Sequence, residues 1–192
     1  MKKTLLLLVF MLATVFAADA QTRFGVKVGA NYSGFEGDDA DDLDRLFGVH
    51  AGVMASVPVV ENFFSVNPEV LFSKKGAETS DDRVKYKVSY IDVPVLAHIN
   101  AGPLFFEAGP QVSFRIGGDI EVNDVNVDDD LDQFKRTSLG YAAGIGLAST
   151  PLGLSLGIRY NGDISKLYDD DSISDARNGV FMLSLGYMFP SR

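Results

Sequence analysis

Residues 63–76 read FFSVNPEVLFSKKG, and residues 90–116 read YIDVPVLAHINAGPLFFEAGPQVSFRI. In the first stretch Phe64, Val66, Pro68, Val70 and Phe72 fall on one side of an extended chain. Ser65, Asn67 and Glu69 fall on the other. Ser89, Ile91, Val93, Val95, Ala97 and Ile99 form a second row, with Asp92 and His98 behind them. Leu104, Phe106, Ala108, Pro110, Val112, Phe114 and Ile116 form a third, opposite Glu107, Gly109, Gln111, Ser113 and Arg115. A period of two marks β-strands with one apolar face. Each row persists for about ten residues, the length a tilted strand needs to cross a bilayer.

The same alternation recurs along the chain. Phe24, Val26, Val28, Ala30 and Tyr32 make one row, and Phe47, Val49, Ala51, Val53, Ala55 and Val57 another. Leu139 to Leu147, Leu154 to Tyr160 and Phe181 to Phe189 supply three more, which gives eight strands. Residues 34–46, 73–85, 117–136 and 162–178 are polar and densely charged and read as exposed loops. Residues 58–62, 100–103 and 150–153 read as short links or tight turns. Long and short connections therefore alternate. That pattern predicts an all-β fold, an eight-stranded antiparallel up-and-down transmembrane β-barrel. The even strand number places both termini on the periplasmic side, with the acidic loops extracellular.

Period alone does not say which face looks outward. A soluble barrel of the lipocalin type has an apolar interior and would make the chain a periplasmic ligand carrier. Here, however, the polar row is rich in Gly, Ser and Ala, which fit inside a narrow barrel, while Phe, Tyr, Leu and Val fill the other. Aromatics also collect near strand ends, at Phe24, Tyr32, Phe47, Phe63, Phe72, Phe105, Phe106, Tyr160 and Phe189. Such girdles mark the two membrane interfaces. The expectation is lipid outside.

The first residues agree. Lys2 and Lys3 precede an apolar run from Leu5 to Ala18, and Ala18-Asp19-Ala20 forms a cleavage site before Gln21. Residues 1–20 thus read as a cleaved signal peptide, and residues 21–192 as one outer-membrane barrel domain. The chain has no Cys, so neither disulfides nor thiolate metal sites stabilise it. A net charge of −9 without a basic cluster argues against nucleic acid as a partner.

Charged residues on the predicted inner face are the main candidates for a site. Lys27, Glu69, Asp92, Glu107, Arg115 and Arg159 are evenly divided in sign and are expected to pair across the lumen. Eight strands leave an interior just wide enough for side chains to fill, so a plugged barrel is expected and a general diffusion channel is not. A narrow small-solute pore is the alternative. His50 and His98 also face the lumen, at opposite ends, and neither has a Ser neighbour on its own face at hydrolase spacing. No catalytic residues are assigned, since a nucleophile, a base and an orienting group must lie within hydrogen-bond reach. His98 is placed to pair with Glu107 across the tight turn. The acidic segments 36–44, 126–133 and 168–175 lack the EF-hand pattern and read as solvated loops; no metal or cofactor is implied.

NPEVLFSKKG, YIDVPVLAHI, FFEAGPQVSF, IRYNGDISKL and the closing VFMLSLGYMF together resemble the PorT-like outer-membrane β-barrel family, in order and spacing. The resemblance spans Phe24 to Phe189. It implies a porin-like barrel in the outer membrane of a Gram-negative type envelope. With no catalytic residues assigned, the expected function is non-enzymatic, a structural, surface or assembly role. One branch of the family is associated with protein secretion and gliding, which would require a cell-envelope protein partner. The C-terminal row ending in Phe189 resembles the signal read by the barrel-insertion machinery. Outer-membrane lipid and that machinery are therefore the expected partners.

Overall fold

A computed structural model describes residues 22–36, 43–79, 84–122, 125–127, 135–149, 152–165 and 177–190. Residues 1–21, of which 1–20 are read above as a signal peptide, the centres of the acidic loops and the last two residues lie outside the described residues. The strands are β1 (Arg23–Glu36), β2 (Leu43–Val60), β3 (Phe64–Thr79), β4 (Val84–Ala101), β5 (Leu104–Val122), β6 (Val125–Val127), β7 (Thr137–Ser149), β8 (Leu154–Asp163) and β9 (Arg177–Met188). Each long strand pairs antiparallel with its neighbours in the chain, and β1 pairs with β9 to close the ring. The result is a closed eight-stranded antiparallel barrel. The three-residue β6 lies outside the ring and pairs only with the end of β5.

Closure pairs each long strand on both sides, and at the β2–β3 irregularity Asn31 and Ser33 supply side-chain partners to the backbone, as a hydrocarbon environment demands. Short connections lie at one end of the barrel, the end that also holds Arg23 and Met188. Each of them bends through the left-handed region, at Asn62 (φ 56°), Gly102 (φ 66°) and Gly153 (φ 67°). At Gly102 a side chain would meet no neighbour, so the glycine serves the backbone conformation alone.

The apolar rows face outward. Phe47 is 76% exposed, and Val26, Val53, Leu139, Leu147, Leu156, Ile158, Leu183 and Leu185 are all exposed on the outer wall. In water this belt would far exceed the few hundred Å² of contiguous apolar surface that soluble monomers tolerate. Lys27, Asn31, His50, Glu69, Asp92, Glu107, Gln111, Arg159 and Asn161 are buried on the inner side. The inner and outer rows are thus the reverse of a lipocalin's.

Three expectations need correction. The charged segments read as loops are in large part strand: β1 continues to Glu36, β2 begins at Leu43, β3 runs to Thr79, β5 reaches Val122, and β9 begins at Arg177. Beyond the apolar belt both faces of a strand are polar, so the alternation disappears from the sequence while the backbone ladder continues. Second, residues 117–136 contain β6 as well as the end of β5. Third, Phe105 is not part of an outer girdle. It is 5% exposed, points into the lumen and stacks on His98 with ring centroids 4.7 Å apart. A Cβ at Gly146 would collide with its ring, so that glycine on β7 makes the slot it occupies.

The wall is uneven in length. Strands β2 to β5 hold 16 to 19 residues, whereas β7, β8 and β9 hold 10 to 13.

Candidate functional site

The densest chemistry lies across the middle of the lumen, where four charged side chains converge from four alternate strands of the ring. Lys27 comes from β1, Glu69 from β3, Glu107 from β5 and Arg159 from β8. Each has the inward parity of its strand, and none is more than 8% exposed. Arg159 and Glu69 stand on diametrically opposite strands. Arg159 Nη1 donates to Glu69 Oε2 at 2.7 Å, and Nη2 to Glu69 Oε1 at 2.9 Å. Its Nε donates to Glu107 Oε1 at 2.6 Å. Lys27 Nζ adds a bond of 2.5 Å to Glu69 Oε1. A planar guanidinium offers a fixed fork of donors, which suits this two-carboxylate arrangement better than an ammonium would.

The sequence candidates do not form one network. Asp92 is bound by Lys75 on the adjacent strand, with Nζ to Oδ1 at 2.8 Å and both side chains buried. Lys75 Nζ also lies 4.8 Å from the centre of the Tyr90 ring, within cation–π reach. Lys75 escaped sequence reasoning because it lies within residues 73–85, read there as loop. Its inward parity with Glu69 and Ser73 was the available signal. Arg115 stays half-buried toward the loop end, where its backbone N–H donates to the Arg136 carbonyl. Between the two ionic groups Leu71, Val180 and Met182 touch across the lumen from β3 and β9.

His50 and His98 are separated as expected, but their surroundings are informative. His98 Nδ1 lies 3.7 Å from Glu107 Oε2, beyond hydrogen-bond length, and has no partner of its own. His50 is fully enclosed. Its Nδ1 lies 2.7 Å from Asn31 Oδ1 and its Nε2 2.9 Å from Ser184 Oγ. The amide of Asn31 donates through Nδ2 to Ser73 Oγ and the Lys74 carbonyl, each at 2.9 Å, which leaves Oδ1 as an acceptor. His50 in its neutral form then carries its proton on Nδ1 and accepts at Nε2 from the Ser184 hydroxyl.

That chain includes a Ser partner for His50 that spacing along the sequence does not reveal. Ser184 approaches from β9, 134 residues away, through the closure of the barrel. Hydroxyl, imidazole and orienting amide stand in the order used by hydrolases. The rest of such a site requires substrate access and oxyanion donors. Ser184 is 7% exposed, His50 and Asn31 1% each, and the facing glycines Gly29 and Gly157 are closed upon by His50 and Phe105 respectively. The relay therefore stitches β1, β2 and β9 together.

The lumen is not filled throughout. A cavity of about 430 Å³ opens at the short-turn end, above the four-charge cluster. Lys27, Glu69, Glu107 and His98 line its inner part, with Phe105 beside them. Met54, Met188 and Arg23 belong to its outer part.

The model of the family described as outer membrane protein beta-barrel domain matches residues 17–169, most of the chain. Among solved structures, Neisserial surface protein A (NspA) is similar at a TM-score of 0.54 and 18% identity, covering 86% of this chain and 97% of that one. Ail, the attachment invasion locus protein of Yersinia pestis, solved with the heparin analogue sucrose octasulfate, gives 0.50 and 18%, covering 88% of this chain and 100% of that one. No curated protein matches significantly. The two structures share the barrel, and with the family match over the strands described above, this chain belongs to the outer membrane protein beta-barrel domain family.

Proposed function

We propose that the protein is a non-enzymatic, non-conducting outer-membrane barrel with a structural, surface or assembly role. The observation that carries this reading is the Arg159–Glu69 bridge, which joins opposite walls of the lumen through two hydrogen bonds. A solute would have to displace buried, mutually neutralised charges at that level, each costing several kcal/mol to leave unpaired. In this reading the short turns and both termini are periplasmic, the acidic connections face the cell exterior, and residues 1–20 are removed on export. Membership of the PorT branch, and with it accessory work for a secretion machine, rests on the motifs quoted above. The sulfated ligand in the Ail structure is not carried over, because the connections here are rich in Asp, the wrong charge for a polyanion.

The test is threefold on one preparation. Sedimentation with outer membranes and a boiling-dependent mobility shift are expected; recovery in the soluble periplasmic fraction would sink the reading in favour of a ligand carrier. In a planar bilayer no discrete conductance steps are expected, and their appearance would support the narrow pore instead. A fluorophosphonate probe is expected to leave Ser184 unmodified, whereas labelling that requires His50 would establish a hydrolase.

A further inference from the structure

The cavity at the short-turn end has a feature that the plugging role does not use. Its volume of about 430 Å³ falls within the range of small-ligand pockets. The charged groups that line it are Arg23, Lys27, Glu69 and Glu107, and Arg159 sits directly behind both carboxylates. Three cations thus face two anions, a positive excess in a protein whose formal charge is −9. The carboxylates are already engaged: Glu69 accepts from Lys27 and Arg159, and Glu107 from Arg159. Arg23, at the rim, has no ion-pair partner among the described residues. His98 Nδ1 is buried in the wall without a hydrogen-bond partner. Beside these groups lie the Phe105 ring and the side chains of Met54 and Met188, an apolar surface on the same cavity.

We infer that this cavity is a binding site for a small organic monoanion, a carboxylate carried on a short apolar or aromatic body. The carboxylate lies toward Arg23 and Lys27, and the body rests against Phe105 and the two methionines. A cation of the same shape is repelled by the excess charge and finds both glutamates occupied. The site faces the compartment that holds the short turns and depends on no conduction through the lumen.

The strands contain three methionines, and they make the test direct. Met54 and Met188 line the cavity, whereas Met182 is packed with Leu71 and Val180 beyond it. The full chain, labelled with carbon-13 at the methionine methyls and placed in zwitterionic nanodiscs, would be titrated with benzoate and, separately, with benzylammonium. Saturable shifts of Met54 and Met188 with benzoate, a still Met182 signal and no response to benzylammonium are the expected result. Arg23→Glu, at a rim residue outside any ion pair among the described residues, is expected to weaken benzoate binding by about three-fold or more while preserving the heat-shifted mobility. Absence of saturable shifts, equal response to both probes, or unchanged affinity in Arg23→Glu would overturn the assignment. None of those outcomes bears on whether the barrel conducts.

Discussion

Two ion-paired regions share this lumen, and they are built differently. In the Arg159 cluster one guanidinium serves two carboxylates, and Glu69 accepts from a second cation as well. In the Lys75 region a single ammonium serves a single carboxylate, and Asp92 Oδ2 has no hydrogen-bond partner. The first joins strands across the barrel, and the second joins neighbours that the backbone already holds through the β3–β4 ladder. Ionic groups of equal burial therefore do different jobs. One sets the cross-section of the barrel, and the other trims one wall.

The sharpest way to break this contrast is Arg159→Met. It strands two buried carboxylates with only Lys27 to share, and a loss of about 5 kcal/mol is expected. The measurement is the urea dependence of the heat-shifted band; a change within error of wild type would dissolve the distinction between the regions. Lys75→Met comes next, at about 3 kcal/mol, because one carboxylate loses its cation. Adding Asp92→Leu in the same chain should restore most of that stability, since a buried pair replaced by apolar groups is often neutral. Failure of the restoration would show that Lys75 acts through Tyr90, or through the Ser113 hydroxyl 3.5 Å from its Nζ, rather than through Asp92.

Packing gives a smaller effect. Gly146→Ala pushes a methyl into the Phe105 ring and should cost about 2 kcal/mol, an overpacking penalty. A Phe105→Leu background should remove the ring's share of that cost and leave the share from the Leu156 carbonyl, which the same methyl would also meet; an additive result would mean that the ring carries none of the strain. The smallest effect is expected outside. Arg45 bonds Glu36 at 2.6 Å and lies 5.1 Å from the centre of the Phe181 ring, but it is part-exposed. Arg45→Gln should cost no more than about 1 kcal/mol. A larger loss would place this outer cluster on a par with the lumen.

The sequence exposed the barrel wherever one face met lipid. Phe64 to Phe72, Ile91 to Ile99 and Leu104 to Phe114 alternate because their two sides lie in different media, and their parity alone identified Glu69, Glu107 and Arg159 as inward. It failed where that contrast ends. Lys75 and Tyr90 belong to lumen walls beyond the apolar belt, and there the alternation is masked by charged neighbours such as Lys74 and Lys87. Phe105 shares the inward parity of Glu107, but its size pointed to the outer girdle; the slot that admits its ring is made by a glycine more than forty residues later. The Ser184–His50–Asn31 relay is likewise a product of closure, since β1 and β9 come together only when the ring is complete.

The unequal strands have a last consequence. At about 3.3 Å per residue and a tilt near 40°, the difference between β5 with 19 residues and β8 with 10 raises one flank by about 20 Å. A uniform cylinder can turn about the membrane normal and present the same profile to every neighbour. This molecule has a compass bearing. Anything that grips the tall side meets a broad vertical face with one heading, so such a contact fixes how the barrel is turned within the sheet of lipid as well as where it stands.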